Sequence, residues 1–250
     1  MPKEKKEMEV ETEEAVTEKP APAFASKTYE QKTTLPCNDA CTNVSITIPV
    51  AENISQPAKD SINNKIFNTV RGIVYFGEKP SDAKDYEGIM STFIKSYDDL
   101  RKQFPKEKMA PWEAKINGRI GYQTDNIINI KLENYTFTGG AHGYSGLRSL
   151  IFNAKTGTTL NYAEMFTDQK AVAAMAEKKF REKYKIPAGK NINATGYFFP
   201  DDKFILPQNI FYTDEGLLLY YNPYEVASYA EQQKEIMLTY AELGDLLKVR

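Results

Sequence analysis

Apolar and polar residues alternate along several short stretches of this chain, and a period of two is the signature of a half-buried β-strand. The stretch VSITIPV shows the period most simply, with Val44, Ile46, Ile48 and Val50 on one face. The same pattern predicts strands in six further stretches: 113–123, 127–137, 147–154, 209–213, 217–221 and 234–239. Short polar or glycine-containing turns separate several of these stretches, which favours hairpin connections.

Apolar residues spaced by three and four positions predict helices elsewhere in the chain. The clearest helix follows Ser81 and ends at Phe104, because the residue before a proline is disfavoured in a helix. Its apolar face contains Tyr86, Ile89, Met90, Phe93, Ile94, Tyr97, Leu100 and Phe104. Three further stretches predict helices: 55–73, 168–184 and 240–247. The mixture of helices with hairpin-linked strands predicts an α+β fold, with antiparallel sheet and packed amphipathic helices.

The first 27 residues differ from the rest of the chain. They contain seven Glu, five Lys and three Pro, with few large apolar side chains. Such a segment cannot bury enough surface to offset its ordering entropy, so we expect residues 1–27 to form a disordered tether. A tether of this kind typically follows a lipid-anchored cysteine or a cleaved export signal. We therefore expect an extracytoplasmic protein, either periplasmic or an outer-surface lipoprotein; the alternative is a cytoplasmic protein with an irregular N-terminus.

The net charge and the lengths of the apolar runs bear on whether the partner is a nucleic acid or a membrane. The formal net charge is −2 and no Lys/Arg cluster occurs, which argues against nucleic acid as a partner. No run approaches the roughly 18 apolar residues that span a membrane. Any membrane attachment would therefore depend on a lipid anchor that this sequence does not contain.

The two cysteines, Cys37 and Cys41, lie close together before the first predicted strand. Two thiols and one distant histidine are too few for a typical zinc site. A redox pair usually has two intervening residues and precedes a helix, whereas this pair has three. We favour a small structural disulfide, which would agree with an oxidising compartment.

The stretch 135–146 (YTFTGGAHGYSG) contains the only histidine, His142. Ser145 lies nearby, but the segment lacks the Gly-x-Ser-x-Gly elbow of serine hydrolases. It also lacks the lysine and following helix of a phosphate loop, and one histidine does not supply a zinc-enzyme ligand set. A paired-carboxylate glycosidase stays open, since such pairs meet in space rather than in sequence. We predict no metal and no cofactor.

The three glycines around His142 favour a structural turn over a catalytic loop. Gly139, Gly140 and Gly143 permit positive φ angles and close backbone approach. The imidazole can hydrogen-bond to neighbouring backbone and hold the turn together. His142 and the adjacent Tyr144 are also candidate ligand contacts.

Tyrosine is abundant, with sixteen residues, and its densest run is 220–229 (YYNPYEVASY). Tyrosine buries a large area at low entropic cost and keeps a polar tip, so it suits binding surfaces. Tyr221 and Tyr224 are our candidates for exposed ligand contacts. The alternative is that most of these rings pack the sheet.

Three motifs together resemble a bacterial extracytoplasmic domain family. The segment 135–143 (YTFTGGAHG) is similar to that family's Y-x-x-x-G-G-A-H-G motif. Residues 151–166 are similar to its strand–turn–strand segment around a Lys-Thr-Gly turn, and 211–230 to its Asn-Pro-Tyr segment. The family includes the sensing domain of the anti-sigma factor RsiV and the N-terminal region of the peptidoglycan deacetylase PdaC. The resemblance covers roughly residues 29–247.

The resemblance implies two successive modules, a PdaC-like module over 28–136 and an RsiV-like module over 137–250. It implies a cell-envelope protein, with lysozyme as the ligand of RsiV-like members. The chemistry of deacetylase members belongs to an appended metal-binding domain that this chain lacks. We therefore expect a non-enzymatic envelope-binding protein whose ligand is a protein such as lysozyme, or cell-wall glycan such as peptidoglycan fragments. The alternative is a hydrolase or deacetylase-like enzyme acting on cell-wall polymer, with His142 and a carboxylate as acid and base.

Overall fold

The computed structural model describes residues 22–37, 40–77 and 81–250, and this part contains eight strands and five α-helices. The strands are β1 (Ala23–Lys32), β2 (Asn43–Glu52), β3 (Glu113–Gln123), β4 (Ile127–Phe137), β5 (Tyr144–Asn153), β6 (Asn209–Tyr212), β7 (Gly216–Tyr221) and β8 (Lys234–Thr239). The helices are α1 (Gln56–Ile73), α2 (Tyr86–Gln103), α3 (Tyr162–Met165), α4 (Gln169–Lys183) and α5 (Tyr240–Leu243). The predicted α+β class is confirmed.

A five-stranded sheet with the order β1-β2-β3-β4-β5 forms the first half of the molecule. Its neighbouring strands are antiparallel, as predicted, except for β2 and β3, which pair in parallel. The parallel pair arises because the chain leaves β2 through α1 and α2 before it returns as β3. Both helices bury apolar faces on one side of the sheet, with Ile62, Ile66 and Phe93 almost fully buried.

Strand β1 lies in a segment that we expected to be partly disordered. It pairs with β2 along its whole length, from Ala23 opposite Glu52 to Lys32 opposite Asn43. Residues 23–27 of the predicted tether are therefore a strand, because backbone pairing with β2 orders a segment that has few apolar side chains. Residues 1–21 of the predicted tether lie outside the described residues. A disulfide bond joins Cys37 and Cys41 in the connection that follows β1.

A three-stranded antiparallel sheet with the order β6-β7-β8 forms the second half, together with α4. Its core surrounds Phe180 of α4. The two cores meet at β4 and β5: Ile128 and Phe152 belong to the first core, whereas Ile127 and Ile151 belong to the second. This division follows from the alternation of side chains along a strand. The module boundary expected at 136/137 lies just before Phe137, the last residue of β4, and β4 and β5 are neighbouring strands of the first sheet.

Three buried asparagine side chains join the second sheet to the edge of the first. Asn129 accepts a hydrogen bond from the backbone N–H of Tyr212 at 2.9 Å, and Asn209 accepts one from the N–H of Ser149 at 3.1 Å. Asn222 accepts from the N–H of Leu147 at 2.7 Å and donates to its carbonyl at 3.1 Å. Asn222 therefore pairs with β5 much as another strand would, and this contact positions the segment that follows β7.

Candidate binding groove

The loop between β4 and β5 carries His142 and owes its shape to its glycines. Gly139 and Gly140 have φ angles of 102° and 88°, a region that disfavours residues with a side chain. Gly143 is required for a different reason, because a Cβ atom there would lie 2.4 Å from the ring of Tyr135. The backbone at Gly143 therefore packs closely against Tyr135 of β4, and the loop places His142 at the surface.

His142 is exposed and its ring makes two local contacts. Its Nδ1 donates to the carbonyl of Gly143 at 2.9 Å, and the imidazole stacks on Tyr229 with ring centroids 4.2 Å apart. Tyr224 also stacks on Tyr229, at 5.2 Å. The three rings form an aromatic stack (His142, Tyr229 and Tyr224) that links the glycine loop to the segment after β7. His142 and Tyr224, which we predicted as ligand contacts, are thus connected through the ring of Tyr229, which we did not predict.

Tyr224 is held in a conformation that tyrosine rarely adopts. Its φ is 67°, and 52% of the residue is exposed. The turn around it is closed by hydrogen bonds from the N–H of Glu225 to the carbonyl of Asn222, at 3.0 Å, and from the N–H of Asn222 to the carboxylate of Glu225, at 2.8 Å. Strain of this kind persists only where the surroundings over-determine it, and it concentrates at ligand-binding positions. The turn therefore presents an aromatic ring to solvent against its backbone preference.

Tyr224 stands at the wall of a groove with a volume of about 340 Å³, which we call the tyrosine groove. Its wall includes Tyr144, Arg148, Gln208, Pro223, Tyr224 and Glu225. Tyr144 and Arg148 come from β5, and the others come from the segments that flank β6 and β7. The groove thus exists only where the two halves of the molecule meet, and it unites Tyr144 with Tyr224.

Two opposite charges face the tyrosine groove. Burial raises the pKa of the Glu225 carboxyl, although the backbone N–H of Asn222 and the charge of Arg148 oppose that rise. Arg148 donates from Nη1 to the carbonyl of Leu147 at 3.0 Å, which uses one of its five N–H groups. The groove therefore combines aromatic faces with a hydrogen-bond donor group and an acceptor group of balanced charge.

The prediction that Tyr221 is an exposed ligand contact is wrong. Tyr221 is fully buried, and its hydroxyl donates to the carbonyl of Ile205 at 2.5 Å. Burial raises the pKa of its hydroxyl far above the usual range. The physical reason is strand alternation: Leu217, Leu219 and Tyr221 share the inner face of β7 and pack on the core around Phe180.

Sequence reasoning did not single out Tyr229, Arg148, Gln208 or Glu225. Tyr229 ends the tyrosine-rich run 220–229, so that run did contain a signal for it. The other three are common polar residues on separate elements, and no local pattern marks them. Arg148 and Glu225 meet because Asn222 docks the turn that carries Glu225 against β5, and the backbone of Gln208 is hydrogen-bonded to Glu225.

Another cavity, of about 410 Å³, lies over the open face of the first sheet beside Tyr135 and Tyr220. Its carboxylate, Glu133, is hydrogen-bonded to Lys131, and with Arg119 this contact lowers the pKa of the carboxyl. A carboxylate stabilised in its ionised form is poorly suited to general acid catalysis. Within the described ranges, no cluster of three or more His, Cys, Asp or Glu side chains could hold a metal ion.

The fold and the groove define an α+β domain of two sheets with a concave, aromatic and polar candidate site at their junction. Residues 35–145 match the family model described as deacetylase PdaC, and residues 163–241 match the model described as a protein of unknown function, DUF3298. Together these matches support the PdaC/DUF3298-type domain family, a cell-envelope-associated family whose PdaC-type domain is typically extracytoplasmic. The resemblance inferred from the sequence motifs is confirmed.

Two crystal structures of DUF3298 family proteins share the fold. One, from Bacteroides fragilis, has a TM-score of 0.67 at 20% identity and covers 92% of this chain and 94% of its own. The other, from Pseudomonas aeruginosa, has a TM-score of 0.61 at 18% identity and covers 92% and 95%. No curated protein matches the chain. Among the described helices, none combines the length and the apolar character needed to cross a membrane.

Proposed function

We propose that this protein is a non-enzymatic binding module of the cell envelope and that it holds its ligand in the tyrosine groove. The ligand is a protein such as lysozyme or a cell-wall glycan. The observation that carries the proposal is Tyr224, an exposed aromatic residue held at positive φ at the wall of a concave site. Aromatic rings beside a few well-placed polar groups are the usual composition of a ligand site.

The contacts of His142 favour binding over catalysis. Its ring is engaged by a backbone carbonyl and by the Tyr229 ring rather than by a carboxylate. In the well-known catalytic triads, the histidine base is oriented by a carboxylate that is hydrogen-bonded to its ring. We assign His142 the role of supporting Tyr229 and, through it, Tyr224.

The compartment is part of the proposal. A periplasmic or outer-surface lipoprotein location agrees with the typically extracytoplasmic character of PdaC-type domains and with the Cys37–Cys41 disulfide. A site at the molecular surface, away from the buried cores, would face envelope ligands directly.

The test is a calorimetric titration of the protein with a vertebrate-type lysozyme and, separately, with muropeptides at physiological salt. We expect saturable binding to at least one of them. The Tyr224→Ala variant should bind at least about tenfold more weakly, as for a central aromatic contact. Phe104→Ala is the matched control, because Phe104 is a similarly exposed ring (45%) at the end of α2, outside the groove.

Binding that Tyr224→Ala leaves unchanged would remove the tyrosine groove from the proposal. If neither lysozyme nor the muropeptides bind, the proposed binding function is overturned. Turnover of the muropeptides by the wild-type protein would instead support an enzyme. Loss of that turnover in a folded His142→Ala variant would then identify His142 as a catalytic residue.

A further inference from the structure

The tyrosine groove continues into a second cavity. That cavity has a volume of about 390 Å³ and lies between α1, β5 and the segment before α3. Arg148, Gln208 and Asn209 belong to the walls of both cavities, so the two cavities adjoin each other. We call the combined feature the trough. Two adjoining cavities can hold a ligand that is longer than either cavity alone.

Aromatic rings are present in both cavities of the trough. Tyr144 and Tyr224 line the first cavity, and Tyr162 lines the second. The hydroxyl of Tyr162 is tied to the carbonyl of Pro207, which holds its ring in place. A ring presents a face of negative quadrupole, which attracts the weakly positive C–H groups of a flat, partly polar partner.

Hydrogen-bonding groups of both kinds lie between the rings. Arg148 supplies donors, Glu225 supplies acceptor oxygens, and the exposed amide of Gln208 supplies both. An apolar ligand would displace water from Arg148 and Glu225 without replacing their hydrogen bonds, which is unfavourable. A hydroxyl group satisfies either of them, because it donates to a carboxylate and accepts from a guanidinium.

The charges of the trough do not select a polyanion. Arg148 and Glu225 oppose each other in the first cavity, and Lys65 is the additional charge in the wall of the second. Recognition of a nucleic acid or another polyanion needs a cluster of positive side chains, which the trough lacks within the described residues. Alternating hydroxyl-bearing and C–H faces, repeated along a chain, are the chemistry of a sugar polymer.

We propose that the trough binds a linear oligosaccharide, with one sugar ring on Tyr224 beside Arg148 and Glu225 and the chain running past Arg148 towards Tyr162. The inference rests on the proposed binding function and names the glycan, rather than a protein, as its ligand. Arg148, at the boundary of the two cavities, contacts the linkage region of the chain.

The experiment measures how affinity depends on the length of the sugar chain. The probes are the disaccharide and the tetrasaccharide of β-1,4-linked N-acetylglucosamine, which carry no peptide and no charge. We expect the wild-type protein to bind the tetrasaccharide about tenfold more tightly than the disaccharide, since only the longer chain reaches the second cavity. Tyr224→Ala and Arg148→Gln should weaken the binding of both probes.

The decisive variant is Thr69→Trp, which places an indole in the second cavity from α1. It should remove the advantage of the tetrasaccharide and leave the disaccharide affinity unchanged, a pattern that general destabilisation does not produce. Asn64→Trp is the matched control, because Asn64 is an exposed residue of α1 outside the trough wall. Melting curves of all variants verify that they are folded.

The outcomes separate this inference from the proposed function. Equal affinity for both probes, or no effect of Thr69→Trp, would overturn the extended oligosaccharide site. Binding of lysozyme without binding of either sugar would keep the proposed function and refute the glycan. Failure of lysozyme, muropeptides and both sugars to bind would refute the two together.

Discussion

Two aromatic regions of this molecule use similar side chains in opposite ways. In the buried region, Phe180 contacts the rings of Phe199 and Tyr221 with centroids 5.3 and 5.8 Å apart, and all three residues are at most 2% exposed. In the exposed region, His142 and Tyr224 stack on Tyr229 at the surface. Tyr221 and Tyr224 are three residues apart in the chain, yet they belong to different regions.

The difference shows what distinguishes a core tyrosine from a surface one. Tyr221 lies on a strand, its ring fills the core, and its hydroxyl is satisfied by a backbone carbonyl. Tyr224 lies in a turn at positive φ, where its ring gains little burial. The first residue is therefore explained by stability, whereas the second calls for a functional explanation.

The largest expected effect comes from truncating the buried ring. Tyr221→Ala should destabilise the protein by about 3–5 kcal/mol, because it removes a fully buried aromatic side chain and leaves a cavity. Tyr221→Phe should cost only about 1 kcal/mol, from the lost hydrogen bond to Ile205. Denaturant unfolding monitored by circular dichroism measures both values. A loss for Tyr221→Ala as small as that of a surface substitution would contradict the assignment of Tyr221 to the core.

The next effect concerns Asn222, which lies in the chain between Tyr221 and Tyr224 and is hydrogen-bonded to Leu147 of β5. Asn222→Ala removes both hydrogen bonds to Leu147 and should cost about 2–3 kcal/mol, since it leaves a backbone N–H and a carbonyl without their partner. It should also weaken ligand binding, because the turn that carries Tyr224 loses its anchor on β5. Unfolding and titration of the same variant test the two consequences separately. Normal stability with normal binding would show that Asn222 does not position the turn.

A pH dependence should follow from Glu225, which lines the tyrosine groove next to Tyr224. Its folded-state pKa is raised above the ordinary value of 4.5, mainly by burial, so the folded state holds this proton more tightly than the unfolded state. The contribution to stability is therefore greatest at low pH and is lost as the pH rises from 4.5 through the folded-state pKa. Unfolding free energies measured across this window should fall less steeply in Glu225→Gln. If the unfolding free energy depends on pH equally in the wild-type protein and in Glu225→Gln, the pKa of Glu225 is not raised by folding.

The smallest effects on stability belong to the exposed stack. Tyr224→Gly relieves the positive φ but adds backbone entropy to the unfolded chain, so we expect a change within about 1 kcal/mol. His142→Ala removes one stacking contact and should cost about 0.5–1 kcal/mol. Chemical denaturation measures both, and Tyr224→Gly should nonetheless lose ligand binding. A destabilisation of Tyr224→Gly as large as that of Tyr221→Ala would erase the contrast between the two regions.

Hydrophobic periodicity and turn residues were sufficient to predict most of the helices and strands. The predicted strands over 113–123, 127–137 and 234–239 agree with β3, β4 and β8 residue for residue, because alternation and turn residues mark both ends. The clearest predicted helix is α2, although it begins at Tyr86, after its N-cap Asp85, and not directly after Ser81. Strand β1 was missed because its stability comes from pairing with β2 and little from its own composition.

The candidate site was predicted only in part, for a related reason. The glycine loop and Tyr224 carry local signals, in glycine spacing and tyrosine density. Arg148 and Glu225 carry none, because charged residues are common and nothing in the chain shows which of them face each other. Tyr221 and Tyr224 have the same local signal, and only the register of β7 separates them.

Patterns along the chain were sufficient to predict the α+β class, most helix and strand positions, the glycine loop and the family, since all of these depend on residues close together in the chain. The tertiary structure alone decided that β4 and β5 serve two cores, that Tyr221 is buried, and that Tyr144, Arg148, Tyr224 and Glu225 line one groove. The physical reason is that periodicity and turn preference are local properties, whereas a groove arises from the docking of distant segments. Here that docking depends on three asparagine side chains whose partners lie 60 to 83 residues away along the chain.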